Sequence, residues 1–454
     1  MSLTLKSVRM AGVVLGAMGL ALTGMAGSAP TLSQCITTAL KGSPDIRSAS
    51  ARVEAAIAAV KEASSAYYPQ LGLAGSWMRT DNPPQAFFMS LNQRRASLEK
   101  DFNHPDDIEN ARGSVVAQWR LCDGGRRIAD KRAAKMGAQA QESTLDTVRN
   151  DLVYQIVRAY YGTLQARSFV TVREESVKSI EESLRVATER FKAGGALKTD
   201  VLNLEVQLSQ AREDVIRAKN GVQLAVAALN TAIGEELMKL SDLSDLPDPS
   251  DLSESSDRKN FPGKIDSRPE WHAAQAQVRV AEAKVSRARR DYAPVLNAFG
   301  SVDWDTDPFH GAEQSYIVGA AVELNVFDGF RTRSGLARAS AGLVAAQAEA
   351  DKLGNMLRLD LTQSLLNEQE ARERFEVAEK SLASAGESLR ITEERFKQGS
   401  ADITELMAAQ VGLTAIRTRK VAAQYDRLIA RANVERAVGR LAEKYSEINV
   451  QKRD

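Results

Sequence analysis

RFKAGGALKTDVL, residues 190–202, and RFKQGSADITELM, residues 395–407, are nearly one phrase written twice, 205 positions apart. A duplicated phrase points to a duplicated structural unit, and following it outward tests the idea. Arg190-Phe191-Lys192 pairs with Arg395-Phe396-Lys397, Gly194 with Gly399, and Asp200 with Glu405. At the same offset Asp123-Gly124 pairs with Asp328-Gly329, and Gly234 with Gly439. Upstream the offset becomes 225: Ser43-Pro44-Asp45 faces Arg268-Pro269-Glu270, Tyr67 and Pro69 face Tyr292 and Pro294, and Gly75-Ser76 faces Gly300-Ser301. The change falls between Ser76 and Asp123, so the first copy carries a longer loop there.

Around the phrase the apolar residues keep helical spacing. Val177, Ile180, Leu184, Ala187 and Phe191 step by three and four, as do Phe375, Ala378, Leu382, Ala385, Leu389, Thr392 and Phe396. Val201, Leu204, Leu208, Ala211, Val215, Ala218, Val222, Ala225 and Leu229 continue the step after the turn. Such a sustained alternation is a coiled-coil seam. Gly124 to Phe191 contains no proline; as one helix it would run about 100 Å. Gly194, Gly195 and Gly399 then stop a long helix and turn the chain, because glycine enters left-handed conformations cheaply. Asp200 and Glu405 fall in the first turn of the returning helix, where a carboxylate is favoured by the helix dipole. The phrase is the tip of a helical hairpin, made twice.

The other end of each unit has period two. Leu71, Leu73 and Trp77 alternate with Gln70, Gly72 and Ser76; Val115, Ala117, Trp119 and Leu121 with Ser114, Gln118 and Arg120. Leu296, Ala298, Val302 and Trp304 alternate with Asn297, Ser301 and Asp303; Tyr316, Val318, Ala320, Val322, Leu324 and Val326 with Gly319, Glu323 and Asn325. These predict four two-faced strands, each long enough to cross a bilayer at a tilt. Trp77, Trp119, Trp304 and Tyr316 sit where an interfacial girdle would place them. A soluble half-buried sheet would also alternate, but no other core is in view for these strands. Four strands cannot close, and an open edge in lipid leaves unpaired backbone groups. Two chains give eight strands, whose interior side chains fill; three give twelve and a pore. The loops Asp81–Arg112 and Asp305–Gln314 would then face outside the cell.

Composition agrees with this picture and excludes others. Among 454 residues, 60 are basic and 59 acidic, which gives no electrostatic case for nucleic acid. Lys6 and Arg9, the apolar run Ala11–Leu22 and the small residues after it read as a secretory signal peptide cleaved between Ala26 and Ala29. No later apolar stretch anchors the chain as a membrane helix. Cys35 and Cys122 are the two cysteines; the plainer of their two readings is a pair of isolated thiols in packed positions. His104, His272 and His310 show no metal spacing. No phosphate-binding loop, nucleophile elbow or Cys-His pair appears, so neither an enzyme nor a cofactor is indicated.

The pieces TLSQCITTALKGSPDIRSASARVEAA, AYYPQL and DYAPVL, CDGGRR and FDGFRT, and the tips ERFKAGG and ERFKQGS come in an order that resembles the TolC-like outer-membrane efflux protein family. The resemblance spans nearly the whole mature chain. It implies a homotrimer in outer-membrane lipid: one shared 12-stranded β-barrel, continued by a periplasmic tunnel of long coiled-coil helical hairpins. It implies work with an inner-membrane transporter and a periplasmic adaptor in small-molecule efflux, or with a type I secretion exporter. The family closes its periplasmic end with acidic rings near the second tip, and Glu405 matches one such position. The next acidic position is Ala408, and the expected cation is Ala401; Asp402 and Asp200 stand nearby as substitutes. Gate candidates are therefore Asp200, Asp402 and Glu405, with helix capping as the alternative role. Candidates for adaptor contact are Gly194, Gly195, Leu197, Gly399 and Ser400.

The expected organisation is a signal peptide (1–28), a first repeat (29–234) with strand pair 69–122 and hairpin 123–233, and a linker (235–267). A second repeat (268–439) follows, with strand pair 294–327 and hairpin 328–439, then a C-terminal tail (440–454). A periplasmic coiled-coil structural or adaptor protein would share the heptads and the signal peptide. It would not need the four amphipathic strands.

Overall fold

The computed structural model describes residues 30–97, 101, 103–237, 239, 265–307 and 311–445. The expected signal peptide, most of the linker, His310 and the end of the tail lie outside the described residues. Each unit begins with helices: α1 (Leu32–Gly42) and α2 (Pro44–Ser65) in the first, α6 (Pro269–Arg289) in the second. The strands are β1 (Gln70–Thr80), β2 (Ile108–Cys122), β3 (Val295–Thr306) and β4 (Glu313–Glu323). A short helix, α3 (Pro83–Asn92), lies between β1 and β2. The hairpins are α4 (Arg126–Lys192) with α5 (Lys198–Ile233), and α7 (Arg331–Lys397) with α8 (Ile403–Val438). Both offsets hold through the structure: α4 and α7 each have 67 residues, α5 and α8 each 36.

At about 1.5 Å per residue, α4 and α7 are each about 100 Å long. The shorter helices stack end to end beside them. The glycine that ends α5, Gly234, abuts Ser43 and Pro44 at the start of α2; the one that ends α8, Gly439, abuts Ser267, Arg268 and Pro269 at the start of α6. In the half nearer the sheet the helices lie in the order α2, α4, α6, α7, and in the far half α5, α4, α8, α7. The layer thus has two free edges, α2/α5 on one side and α7 on the other. Large apolar side chains stay exposed on α5 (Val206, Ile216, Leu224) and on α7 (Val344, Leu359, Val377).

Halfway along, the helices share a core. Cys35, Ile36, Val153, Ile156, Val157, Tyr160, Leu229, Ile233, Tyr425 and Leu441 are buried together there. Leu441 belongs to this core, so the stretch set apart as a tail begins inside the folded equator. Cys35 is a buried helix residue, its thiol pushed up to about 11 by burial. Cys122 is exposed at the end of β2, which corrects the expectation of two packed thiols; the two are unpaired.

A charge cluster pins the stacked joint. Arg268 is 2% exposed and donates to Asp360 of α7 at 2.6 Å and to Glu270 of α6 at 2.8 Å. Arg436 of α8 donates to the other Asp360 oxygen at 2.9 Å and pairs with Asp151 of α4 at 3.9 Å. Burial acts to raise the Asp360 pKa, but hydrogen bonds and charge from Arg268 and Arg436 overcome it, holding the carboxyl below its ordinary value. A depressed folded value means that Asp360 contributes stability in full above its unfolded pKa of about 3.9. That contribution is lost as pH falls through the folded value. Thermal unfolding of Asp360→Asn should therefore show a lower midpoint at neutral pH and a gap to the wild type that narrows in acid. A gap that widens in acid would contradict this assignment.

The four strands form one antiparallel sheet in the order β1-β2-β3-β4. The register aligns the alternation across all four: Leu73 opposes Val115, Val115 opposes Val302, and Val302 opposes Tyr316. One face is apolar and exposed from the helix end up to the Trp77 row, with Leu73 85% and Tyr316 75% accessible; beyond it stand polar side chains such as Arg79 and Glu109. The opposite face is tied by polar side chains, such as Arg112 to Asp305 at 2.8 Å. Some boundaries differ from expectation. β2 begins at Ile108 rather than near Ser114, and α3 occupies part of the long loop. A register shift between Arg120 and Cys122 takes Leu121 out of the ladder. β4 stops at Glu323, opposite Val295, so Leu324 and Val326 have no partner on β3. Among the described residues no helix is long and apolar enough to cross a membrane.

Candidate functional site

Both hairpins end in the same turn. Gly194 (φ +77°) and Gly399 (φ +79°) take the left-handed conformation that lets the chain leave a long helix and start the next. The arginine that opens each quoted phrase closes its own turn: Arg190 donates to the Gly195 carbonyl at 2.8 Å, and Arg395 to the Ser400 carbonyl at 3.0 Å.

The three acidic candidates lie at these turns, each with a local partner. Asp200 accepts the Leu197 backbone N–H at 3.1 Å, and Asp402 accepts the Glu405 N–H at 2.8 Å. Glu405 pairs with Arg395 at 3.2 Å. Two of the acids thus cap α5 and α8, and the third balances an arginine. Ala401, where the resemblance led to the expectation of a cation, packs inside the tip core, and the arginine beside Glu405 is Arg395 of the preceding helix. Gly194, Gly195, Leu197, Gly399 and Ser400 are all exposed at the end of the molecule furthest from the sheet.

Here the duplication breaks its own symmetry. Arg190 also reaches the second hairpin, donating to the Phe396 carbonyl and lying 5.0 Å over the Phe396 ring. Its guanidinium rests against Gly399, where a Cβ would come within 3.1 Å of it. Arg395 pairs with Glu405 of its own hairpin instead. Beneath the tips an apolar cluster joins the hairpins through Ile180, Leu204, Leu389, Phe396, Ile403 and Leu406. Further along, the α4–α8 contact turns polar: Gln410 donates to Ser183 at 2.8 Å and to Ser179 at 3.2 Å, and Thr414 to Ser176 at 3.2 Å. Sequence reasoning missed Arg190 and Gln410. Arg190 was visible as the first letter of the repeat, but the letter is identical in both copies and cannot say which one crosses over.

On the sheet, Trp77, Trp304 and Tyr316 lie toward the end away from the long helices, and Trp119 toward the helices. The Trp119 indole N–H donates to the Tyr67 carbonyl at 3.1 Å. The Ala298 row, opposite Trp119, is separated from the Thr306 row, level with Trp77, by about 26 Å of strand at roughly 3.3 Å per residue. At a tilt of about 40° this corresponds to a height of about 20 Å, which fits within a lipid-facing band about 25 Å tall flanked by aromatics.

The family profile described as outer membrane efflux protein matches residues 35–235 and 264–440. Protein CyaE of Bordetella pertussis is 26% identical over 86% of this chain and 80% of that protein. The outer membrane efflux protein BepC of Brucella suis is 24% identical over 93% and 88%. In structure, the outer membrane protein VceC of Vibrio cholerae superposes with a TM-score of 0.77 at 18% identity, covering 90% of this chain and 96% of that one.

Proposed function

The chain belongs to the outer membrane efflux protein family, and from that premise we propose that three copies close into one export channel working with an inner-membrane transporter and a periplasmic adaptor. It is a channel protein of the outer membrane, extending into the periplasm, and not an enzyme. The observation that carries the trimer is a sheet with a lipid-type face and two open edges, joined to a helical layer that is also open at both edges. Each unpaired backbone group at a sheet edge costs several kcal/mol in lipid. Pairing β1 of one copy with β4 of the next removes the edges only when the ring closes. Three copies leave a pore where two would fill. The exposed stripes of α5 and α7 meet in the same operation.

Small molecules are the proposed cargo, with secreted protein as the competing reading. Purification from membranes with the cognate inner-membrane partner decides between them: a drug-type pump supports efflux, and a type I exporter overturns it. Mass measurement of the detergent-solubilised protein should give three chains. Cysteines at Gln85 and Lys198, placed in a Cys122→Ser background, should label on intact cells only at Gln85; labelling at Lys198 alone would reverse the orientation.

The hairpin tips form the periplasmic mouth in this reading, and the exposed Gly194, Gly195, Leu197, Gly399 and Ser400 are the adaptor contacts. Asp200, Asp402 and Glu405 become rings of three carboxylates around the axis, able to attract cations and narrow the pore. Two of these acids also cap helices and Glu405 pairs with Arg395, so the ring role is proposed beside those local contacts. Asp200→Asn with Glu405→Gln should reduce cation selectivity in single-channel recordings. Unchanged conductance and selectivity in a folded trimer would leave these acids as caps alone.

A further inference from the structure

The chain between β1 and β2 does not simply loop outward. After α3, three consecutive residues are staked to two strands and to the chain just past a third. Gln93 donates to the Glu109 carbonyl of β2 at 2.7 Å and to the Asn110 side chain at 3.0 Å. Arg94 pairs with Glu313 of β4 at 3.3 Å and donates to the Gln314 carbonyl. Arg95 pairs with Asp307, just past β3. Asn110 in turn donates to Asp305 at 2.6 Å. The register puts Asn110, Arg112, Asp305 and Glu313 on the sheet's polar face. Burial agrees: Asp305 is 1% exposed, while Trp77, on the apolar face at the same end, is 66% exposed. The segment therefore crosses the polar face from the β1 edge to the β4 edge.

The backbone at the crossing is unusual. Arg94 has φ +51°, a left-handed conformation that ordinarily favours glycine. Its N–H donates to Leu91 and the Arg95 N–H to Ser90, which ends α3 in a tight reversal. A glycine there would make the turn without strain but could not reach β4.

We propose that α3 is an inward-folded cap at the outer mouth of the channel, and that its exposed apolar face is covered by the α3 helices of the other two copies. This rests on the trimeric reading above. Phe88 is 63% exposed and Leu91 44%, on a helix whose anchors hold it over the face turned away from lipid. Twelve strands about 4.8 Å apart, tilted about 40°, enclose a backbone radius of about 12 Å. A helix with its side chains is about 10 Å across. Three helices lying over such an opening must meet, and Phe88 and Leu91 are the large apolar side chains they bring. The outer constriction is thus built from apolar contacts between copies, while the periplasmic mouth is built from hairpin turns.

The test uses the full-length trimer in detergent with Phe88→Cys in a Cys122→Ser background, treated with a short bis-maleimide; Leu91→Cys repeats it should the first variant fold poorly. Covalent dimers on a denaturing gel, with lowered single-channel conductance after treatment, are the expected result. Adding Gln93→Ala and Arg94→Gly should cut the dimer yield several-fold and raise the conductance of the untreated channel. A particle of three chains in which neither cysteine cross-links overturns the cap and leaves the trimer standing. A particle that is not three chains overturns the trimer itself, and the cap with it.

Discussion

Replacing Gly439 by alanine is expected to lower the thermal midpoint of the assembled protein far more than replacing Gly234, although the two are copies of one position. Both glycines end their helices with φ near +85°, so alanine at either incurs roughly 1–2 kcal/mol of left-handed strain. At Gly234 the added Cβ makes only ordinary van der Waals contact, its nearest neighbour being Pro44 Cδ at 3.8 Å. At Gly439 it would stand 2.9 Å from the Ser267 carbonyl oxygen and 3.1 Å from Arg268 Cα. Those are backbone atoms and cannot rotate aside, so overpacking adds about 1–3 kcal/mol. Movement of Arg268 would also disturb its bonds to Asp360 and Glu270, the contacts that hold α6 on α7. In the proposed trimer the loss is incurred in every copy. Circular dichroism melts of the two variants decide the matter: equal losses would mean that the α8–α6 joint tolerates separation and that the helices are not effectively continuous.

The same pair of glycines shows what could be read from the letters. The two offsets carried the whole long-range plan, because a covalent duplication preserves element lengths and the glycines mark where helices end. Strand faces were legible through alternation alone, since a register slip would turn Leu73, Val115, Val302 and Tyr316 into the polar side. What stayed hidden depends on neighbours in space. Leu324 and Val326 continue the alternation but have no partner strand, so β4 ends before them. Asn82 followed by Pro83 is a helix-start signal, and Asn82 does accept the Gln85 N–H. The ten residues of α3 are too few, however, for periodicity to show against a loop background. Nor could spacing reveal that α8 stacks on α6, or that Arg268 is buried between two carboxylates, since the partner Asp360 lies 92 positions away.

Arg190→Ala should open the channel, and Arg395→Ala, the same substitution in the other copy, should not. In the observed arrangement Arg190 is the side chain that ties the first hairpin tip to the second, through the Phe396 carbonyl and ring. A charged hydrogen bond contributes about 1.5–3 kcal/mol, and a cation–π contact at a partly exposed site about 0.5–1 kcal/mol. Removing both takes about 2–4 kcal/mol per chain from the arrangement in which the tips touch. The bond to the Gly195 carbonyl stays within the first hairpin, so its loss falls on joined and separated tips alike; the cross-hairpin loss falls on the joined arrangement alone and shifts the population toward separation, by about tenfold for each 1.4 kcal/mol. The apolar cluster around Leu406 still resists, while the polar Gln410–Ser183 seam can exchange its partners for water at little cost. Arg395 makes its bonds within one hairpin; its loss loosens a turn without freeing one hairpin from the other. Arg190→Lys should fall between wild type and Arg190→Ala, because an ammonium cannot serve the Phe396 and Gly195 carbonyls with a planar fork. Single-channel conductance of the three variants, each verified as a native-mass assembly, orders them: Arg190→Ala highest, Arg190→Lys next, Arg395→Ala near wild type. Equal conductance for Arg190→Ala and wild type would mean that the apolar cluster alone holds the tips together and that the crossing arginine is incidental to the gate.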